Sequence, residues 1–471
     1  MRKIVRTLFA QGAAAVILSC IAIPVIAQNT DEADRHPRQA PKPVPHNVEA
    51  DRSLLITNLG VVEDPMRTDP TTNIPGVWTF RHLIEQMAGD QDPAEFALRW
   101  LETWEQEQVI NGRRVPARPD IRRLVIDPWL QASGGQRLDL RKAPFKLLAI
   151  VSRIDLREHN QRKVKNAGEG RFIFGMLDEY GLPLPPVAGT VPGGFMVIFE
   201  YEMSAETMDE LRHWAEVWSE LSRFTPGGKE YNAGLEAVTR RFTDADAAPS
   251  KPNGSALAQI RTNEVALGLP WELREFVIDY ATGLLRLHPV ALTPDTHELN
   301  GTETLAALIN TNERRLLDGT FDLAPQWFGG VSASGPFQLT EFPDADKRSF
   351  TVTPLVGPFN DIPWSAADIV NNDARHVFAL NTCSGCHRGE TGTGFVHVGF
   401  PERHALPNSL AEPATLSGFL TGIELMDPVD GVTPRRFADL ERRRQDLEYL
   451  LSSFAQDPSG PNDQHKRRSV H

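Results

Sequence analysis

The residues best placed to do chemistry are Cys383-Ser384-Gly385-Cys386-His387, a C-x-x-C-H run that occurs once. Two thiols three residues apart on one tight turn can reach the two vinyl groups of a single porphyrin and leave thioether links. The adjoining imidazole of His387 is then delivered to one axial face of the iron. Cysteine usage sharpens the reading. The chain has three cysteines, and the third, Cys20, lies in an N-terminal segment expected to be cleaved. A matured chain therefore places both of its cysteines in this one pentapeptide, which implies one covalently attached haem c.

Other uses of the pair are a disulfide, a redox dithiol or half of a zinc site. A zinc site needs four ligands, and no second cysteine pair is present to complete it. A thioredoxin-like dithiol belongs between a strand and a helix of a βαβ unit, and no such pattern surrounds this motif. The motif resembles the haem-binding site of c-type cytochromes, a resemblance that implies attachment outside the cytoplasm.

Three downstream residues, one thioether and two imidazoles, are candidates for the iron's other axial ligand. Met426 is the only methionine after the motif, between a short helix and the closing helix. His397 sits closer, on the apolar segment Gly394-Phe395-Val396-His397-Val398, and His404 follows in a polar setting. Methionine ligation raises the potential, bis-histidine ligation lowers it, and an open iron permits ligand binding or peroxide chemistry.

The elements around the motif are read as helical. Pro363 and Ser365 with Asp368 make a capping-box-like start, and Ile369, Val370, Ala374, Val377 and Phe378 recur at helical spacing toward Cys383. Leu416 to Leu420 reads as a brief helix ending at Gly422. Thr433 with Pro434 is expected to open a last helix to about Phe454. Helix, motif, short helix and closing helix over 346–456 are similar to a class I cytochrome c domain, about a fifth of the chain.

Residues 52–345 read as an α+β module. Phe145 to Ile154, Arg171 to Met176 and Gly194 to Tyr201 are apolar runs of strand type. Asp92-Pro93 opens a helix, Ser204 to Phe224 is a helix with Trp214 and Trp218 on one face, and Glu230 to Phe242 is another. Glu303 to Leu317 is helical, and Leu273 to Leu287 is strand or helix by periodicity alone. The module contains no Gly-rich phosphate loop, His-Glu-x-x-His helix or Gly-x-Ser-x-Gly elbow. Asp155, Glu158 and His159, like Glu272, Glu275 and Asp279, read as solvated charges.

The ends complete the layout. Arg2, Lys3 and Arg6 precede the apolar run Leu8 to Ile26, so 1–27 is expected to be a signal peptide cut after Ala27 and the product periplasmic or secreted. The run is interrupted by Gln11, Gly12 and Pro24 and is short for a spanning helix, and no later stretch is long enough. Residues 28–51, with Pro37, Pro41, Pro43 and Pro45, read as a linker, and 457–471 as a disordered tail. Loss of Arg2, Lys3 and Arg6 takes the formal charge from −13 to −16, which argues against nucleic acid as a partner.

The expected fold is thus multidomain, an α+β module followed by a small all-α haem domain. The expected function is an exported monohaem c-type cytochrome that passes electrons to or from a redox partner protein. The alternatives are a haem-dependent oxidoreductase with an open iron, and a binding protein whose haem is structural or sensory.

Overall fold

A computed structural model describes residues 48–461, apart from 161–162, 185–193, 268–271, 291–293, 295–298, 329–331, 334–337, 342–349, 354–362, 402–411 and 458. The expected signal peptide, nearly all of the expected linker, His404 and most of the expected tail lie outside the described residues.

Runs of β-branched and aromatic residues become the strands of one large sheet. In chain order the elements that matter here begin with β1 (Leu55–Ile56), α1 (Phe80–Met87), α2 (Pro93–Glu102) and β2 (Phe145–Arg153). Next come β3 (Glu169–Met176), β4 (Met196–Glu202), α3 (Met208–Glu220), α4 (Lys229–Thr243) and β5 (Leu257–Asn263). They continue with β6 (Glu272–Ile278), β7 (Leu285–His288), α5 (Glu303–Thr311) and β8 (Ser332–Ala333). The last are α6 (Asn372–Leu380), β9 (Val398–Gly399), β10 (Thr415–Leu416), β11 (Ile423–Met426), β12 (Pro434–Phe437) and α7 (Asp439–Gln456). Strands β1 to β7 pair in sequence order, β8 pairs with β6, and all the pairings are antiparallel. The fold is mixed α and β around this eight-stranded sheet.

Helix starts follow local chemistry. The Asp92 carboxylate accepts from Ala94 N and Glu95 N, with Pro93 at the first helical position. Helix α3 opens at Thr207 rather than Ser204, because Thr207 and Glu210 close a capping box. Leu273 to Leu287 is a hairpin, not a helix: Asp279 accepts from Ala281 N and Thr282 N and turns β6 into β7.

Alternation gives the sheet two different faces. One is aromatic: Phe174 and Phe199 meet Phe80 of α1, Phe276 meets Trp100 and Trp104, and Tyr201 meets Phe242 of α4. The opposite face carries Val151, Arg153, Arg171, Ile173, Met196, Ile198, Glu200, Arg261, Asn263 and Leu273. That face is covered by the C-terminal segment. Gly175 lies on it, and a Cβ there would fall 2.2 Å from the ring of Phe400, so the glycine makes room for the cover.

A separate all-α domain over 346–456 is not what the described residues form. The segment contains the hairpins β9–β10 and β11–β12. Val398, Leu420, Leu447, Leu450, Leu451 and Phe454 share one core with the sheet. Helix α7 packs against α3, and its Asp446 and Arg442 reach Arg157 and Asp155 beyond the end of β2. The short helix is Gly418–Thr421, and α6 starts at Asn371 instead of Ser365. Thr433 caps no helix: its hydroxyl donates to Asp430, Pro434 enters β12, and α7 begins at Asp439.

Candidate functional site

Helix α6 ends three residues before the motif, and Thr382 makes the turn. Its hydroxyl donates to Ala379 O and accepts from Gly385 N, while its carbonyl accepts from Cys386 N. Gly385 lies so close to α6 that a Cβ would meet Ala379 O at 2.1 Å. Cys383, Cys386 and His387 are therefore presented on one wide helical turn, with Gly385–Gly389 as its body. The cysteines are buried and are not joined in a disulfide.

His387 is held from both sides of its peptide. Its Nδ1 lies 2.8 Å from Phe395 O, and Phe395 N donates back to His387 O at 3.1 Å. A carbonyl can only accept, so Nδ1 carries the proton and Nε2 the lone pair. Asn263 of β5 donates to the same carbonyl oxygen at 2.6 Å, which fastens the motif to the sheet. Phe395 adopts φ 67°, a left-handed backbone unusual for an aromatic residue, stacked under the Arg388 guanidinium. Burial lowers the His387 pKa to about 4, keeping the imidazole neutral as a metal ligand requires.

Cys383, His387 and His397 open onto one narrow cavity of about 90 Å³ between the motif and the sheet. Leu55, Val151, Ile173, Met196, Ile198 and Leu273 line it from the sheet; Phe395, Val396, Val398, Phe419 and Leu420 line it from the cover. As a donor set, two buried thiols and a neutral imidazole of fixed orientation beside an apolar slot would suit a covalently held porphyrin, for which the slot would have to open further. A separate cleft of about 470 Å³ between Trp78 and Glu179 has no histidine or cysteine on its described walls.

The two distal candidates fall differently. Met426 is 58% exposed at the end of β11 and is not on the cavity wall. His397 is on the wall, with Nδ1 2.9 Å from Ser417 Oγ and Nε2 3.5 Å from Cys386 Sγ. Its ring centre is 4.6 Å from that of His387. Imidazole nitrogens bind transition metals at about 2 Å, so two rings sharing one metal have centres roughly 6 Å apart. As placed, His397 is a neighbour of His387 on the motif's side. The thioether on the opposite wall is Met196, 2% exposed, whose β4 position pairs with Asn263.

Burial, with Asp439 and Cys383 nearby, pushes the Cys386 thiol well up, whereas a nucleophilic or metal-binding cysteine needs its thiolate. Among the described residues, the side chains converging closely enough for a metal ion are His376, Glu390 and Asp427, not the cysteine pair. Guanidiniums already hold that group: Arg375 bonds Glu390 and Asp427, and Arg435 bonds Asp427. It is a buried clasp between α6, the turn after the motif and the β11–β12 hairpin.

Sequence reading missed the charges beside the cavity. Asp155 is buried and bonds Arg153 and Arg442, and Glu275 is buried and bonds Arg261. No family model, curated protein or solved structure matches this chain.

Proposed function

We propose that the chain is a monohaem c-type cytochrome that transfers electrons, exported before its haem is attached and working with a redox partner protein. Among the described residues no helix is long and apolar enough to cross a membrane. The observation that carries the reading is the proton of His387 Nδ1 fixed on Phe395 O, with Nε2 as the lone-pair nitrogen, beside a cavity that Cys383 shares. Ligating histidines typically donate their second nitrogen to such a carbonyl, which fixes ring orientation and raises basicity.

In this arrangement Cys383 and Cys386 hold the porphyrin edge, His387 takes the proximal position and the sheet supplies the facing wall. The haem supplies one-electron redox chemistry when bound. The α+β module then acts as the second half of the haem pocket, which limits water access through the residues of β2 to β6. Met196 is the distal ligand this geometry favours over His397 and Met426. The resemblance to class I cytochrome c domains rests on the motif; the closing sheet is this chain's own.

Optical redox titration of the full-length protein bearing haem tests the function. A low-spin iron with one reversible one-electron transition is expected. A five-coordinate, high-spin ferric iron that turns over peroxide would instead make the protein a haem enzyme.

A further inference from the structure

Four arginines, Arg153, Arg171, Arg261 and Arg443, face the cavity against a single carboxylate, Glu200. All five are buried. Arg153, Arg171 and Arg261 share one geometry. Each uses Nε and Nη2 on its own carboxylate: Asp155 for Arg153, Glu169 for Arg171 and Glu275 for Arg261. Nη1 of Arg171 and of Arg261 approach Glu200 at 3.4 and 3.7 Å. Arg443 enters from α7, with Nη2 on Asp439 at 2.6 Å, while its buried Nε has no hydrogen-bond partner among the described residues.

Such a row is costly as a stability device, because apolar residues of like volume usually serve as well. Its charges are also unevenly met. Burial and the neighbouring Arg443 pull the Arg153 pKa down to about 9 despite Asp155. Arg153 and Phe419 line this cavity and also an outer groove reaching Leu317 and Arg442, so Arg153 marks an edge of the cavity continuous with that groove.

We infer that Arg153 and Arg443, backed by Arg171 and Arg261, form a seat for carboxylates on the edge of the molecule held in this cavity. The inference rests on the haem reading, under which they are the porphyrin's own two carboxylates. Guanidinium forks pair with carboxylates through two parallel N–H bonds, which suits a pair of acid groups projecting from an apolar plane. A free organic or inorganic anion presents the same chemistry, and the experiment separates the two sources.

The test uses the full-length haem-bearing protein with the porphyrin carboxylates labelled with ¹³C, in redox-difference infrared spectroscopy. Arg153→Gln and Arg443→Gln should each shift the labelled carboxylate bands and lower the reduction potential. Arg436→Gln, an exposed change of equal charge, should leave the bands in place. If the glutamine variants do not fold, Arg153→Lys and Arg443→Lys keep the charge without the fork and should give smaller shifts of the same bands. Bands unmoved in all four variants would overturn the seat while leaving the haem reading intact; a protein without labelled bands fails the haem reading itself. Titration of the wild type with sulfate and with succinate should leave the visible spectrum unchanged. A saturable change abolished by Arg443→Gln would give the seat to a free anion and overturn its assignment to the porphyrin.

Discussion

His387 and Phe395 hydrogen-bond each other reciprocally, side chain to carbonyl at 2.8 Å and amide to carbonyl at 3.1 Å. The pair folds the eight-residue segment after the motif back on itself and fixes which imidazole nitrogen faces the cavity. Asn263 is the sheet's contribution, its amide donating to the same oxygen. Replacing Asn263 by Ala should cost about 1–2 kcal/mol, the usual scale for a buried hydrogen bond that also leaves an acceptor under-satisfied. Urea denaturation would register this as a lower midpoint at unchanged slope; an unchanged midpoint would mean that the sheet does not anchor the motif.

The clasp of Arg375 with Glu390 and Asp427 should be more sensitive. Arg375 is buried, as are both acids, and removal of the guanidinium leaves two buried carboxylates short of a partner. Arg375→Met should destabilise by roughly 3–5 kcal/mol, the cost of breaking a buried pair from one side. The same geometry predicts that zinc does not raise the melting temperature, since cations already occupy the acids. A zinc-dependent rise would make His376, Glu390 and Asp427 a metal site.

Stability should fall with acid through His82 on α1. Burial first, then the positive charge of Arg240, lowers its folded-state pKa to about 4 from 6.5. Between these values the unfolded chain binds the extra proton, so stability is full above pH 6.5 and drains as pH drops toward 4. The contribution is on the order of 3 kcal/mol. His82→Gln should flatten the loss in melting temperature between pH 7 and 4.5 relative to wild type; identical slopes would remove His82 from the account.

Much of this fold could be read along the chain, because strands such as β2, β3 and β4 and helices α2 to α4 announce themselves by local pattern and caps. The motif was equally plain. The arginine row was not, for a physical reason. Arg153, Arg171, Glu200, Arg261 and Glu275 sit on five strands, and each alone looks like the polar residue of a half-solvated strand. Only the pairing register, Arg171 opposite Glu200 and Arg261 opposite Glu275, brings them together under a covering segment. Glu272 and Glu275 likewise read as solvated charges but are buried on β6, with Asp279 making the turn that follows. Met196 was passed over because a methionine within an apolar strand looks like ordinary core.

Ligation separates three residues by one spectroscopic comparison. Met196→Leu should abolish the weak ferric band near the red end of the visible spectrum that marks a sulfur ligand, and His397→Ala and Met426→Ala should retain it. A wild type lacking the band, with His397→Ala turning the iron high-spin, would assign the distal position to His397.

Covalent attachment is the claim on which the rest depends, and intact mass reads it directly. The full-length precursor would be produced in a host with cytochrome c assembly machinery, purified and measured under denaturing conditions. The account predicts a chain heavier by one haem, with the haem retained through acid-acetone extraction and its thioether links at Cys383 and Cys386. A chain of unmodified mass, with Cys383 and Cys386 as thiols or joined to each other, would contradict it.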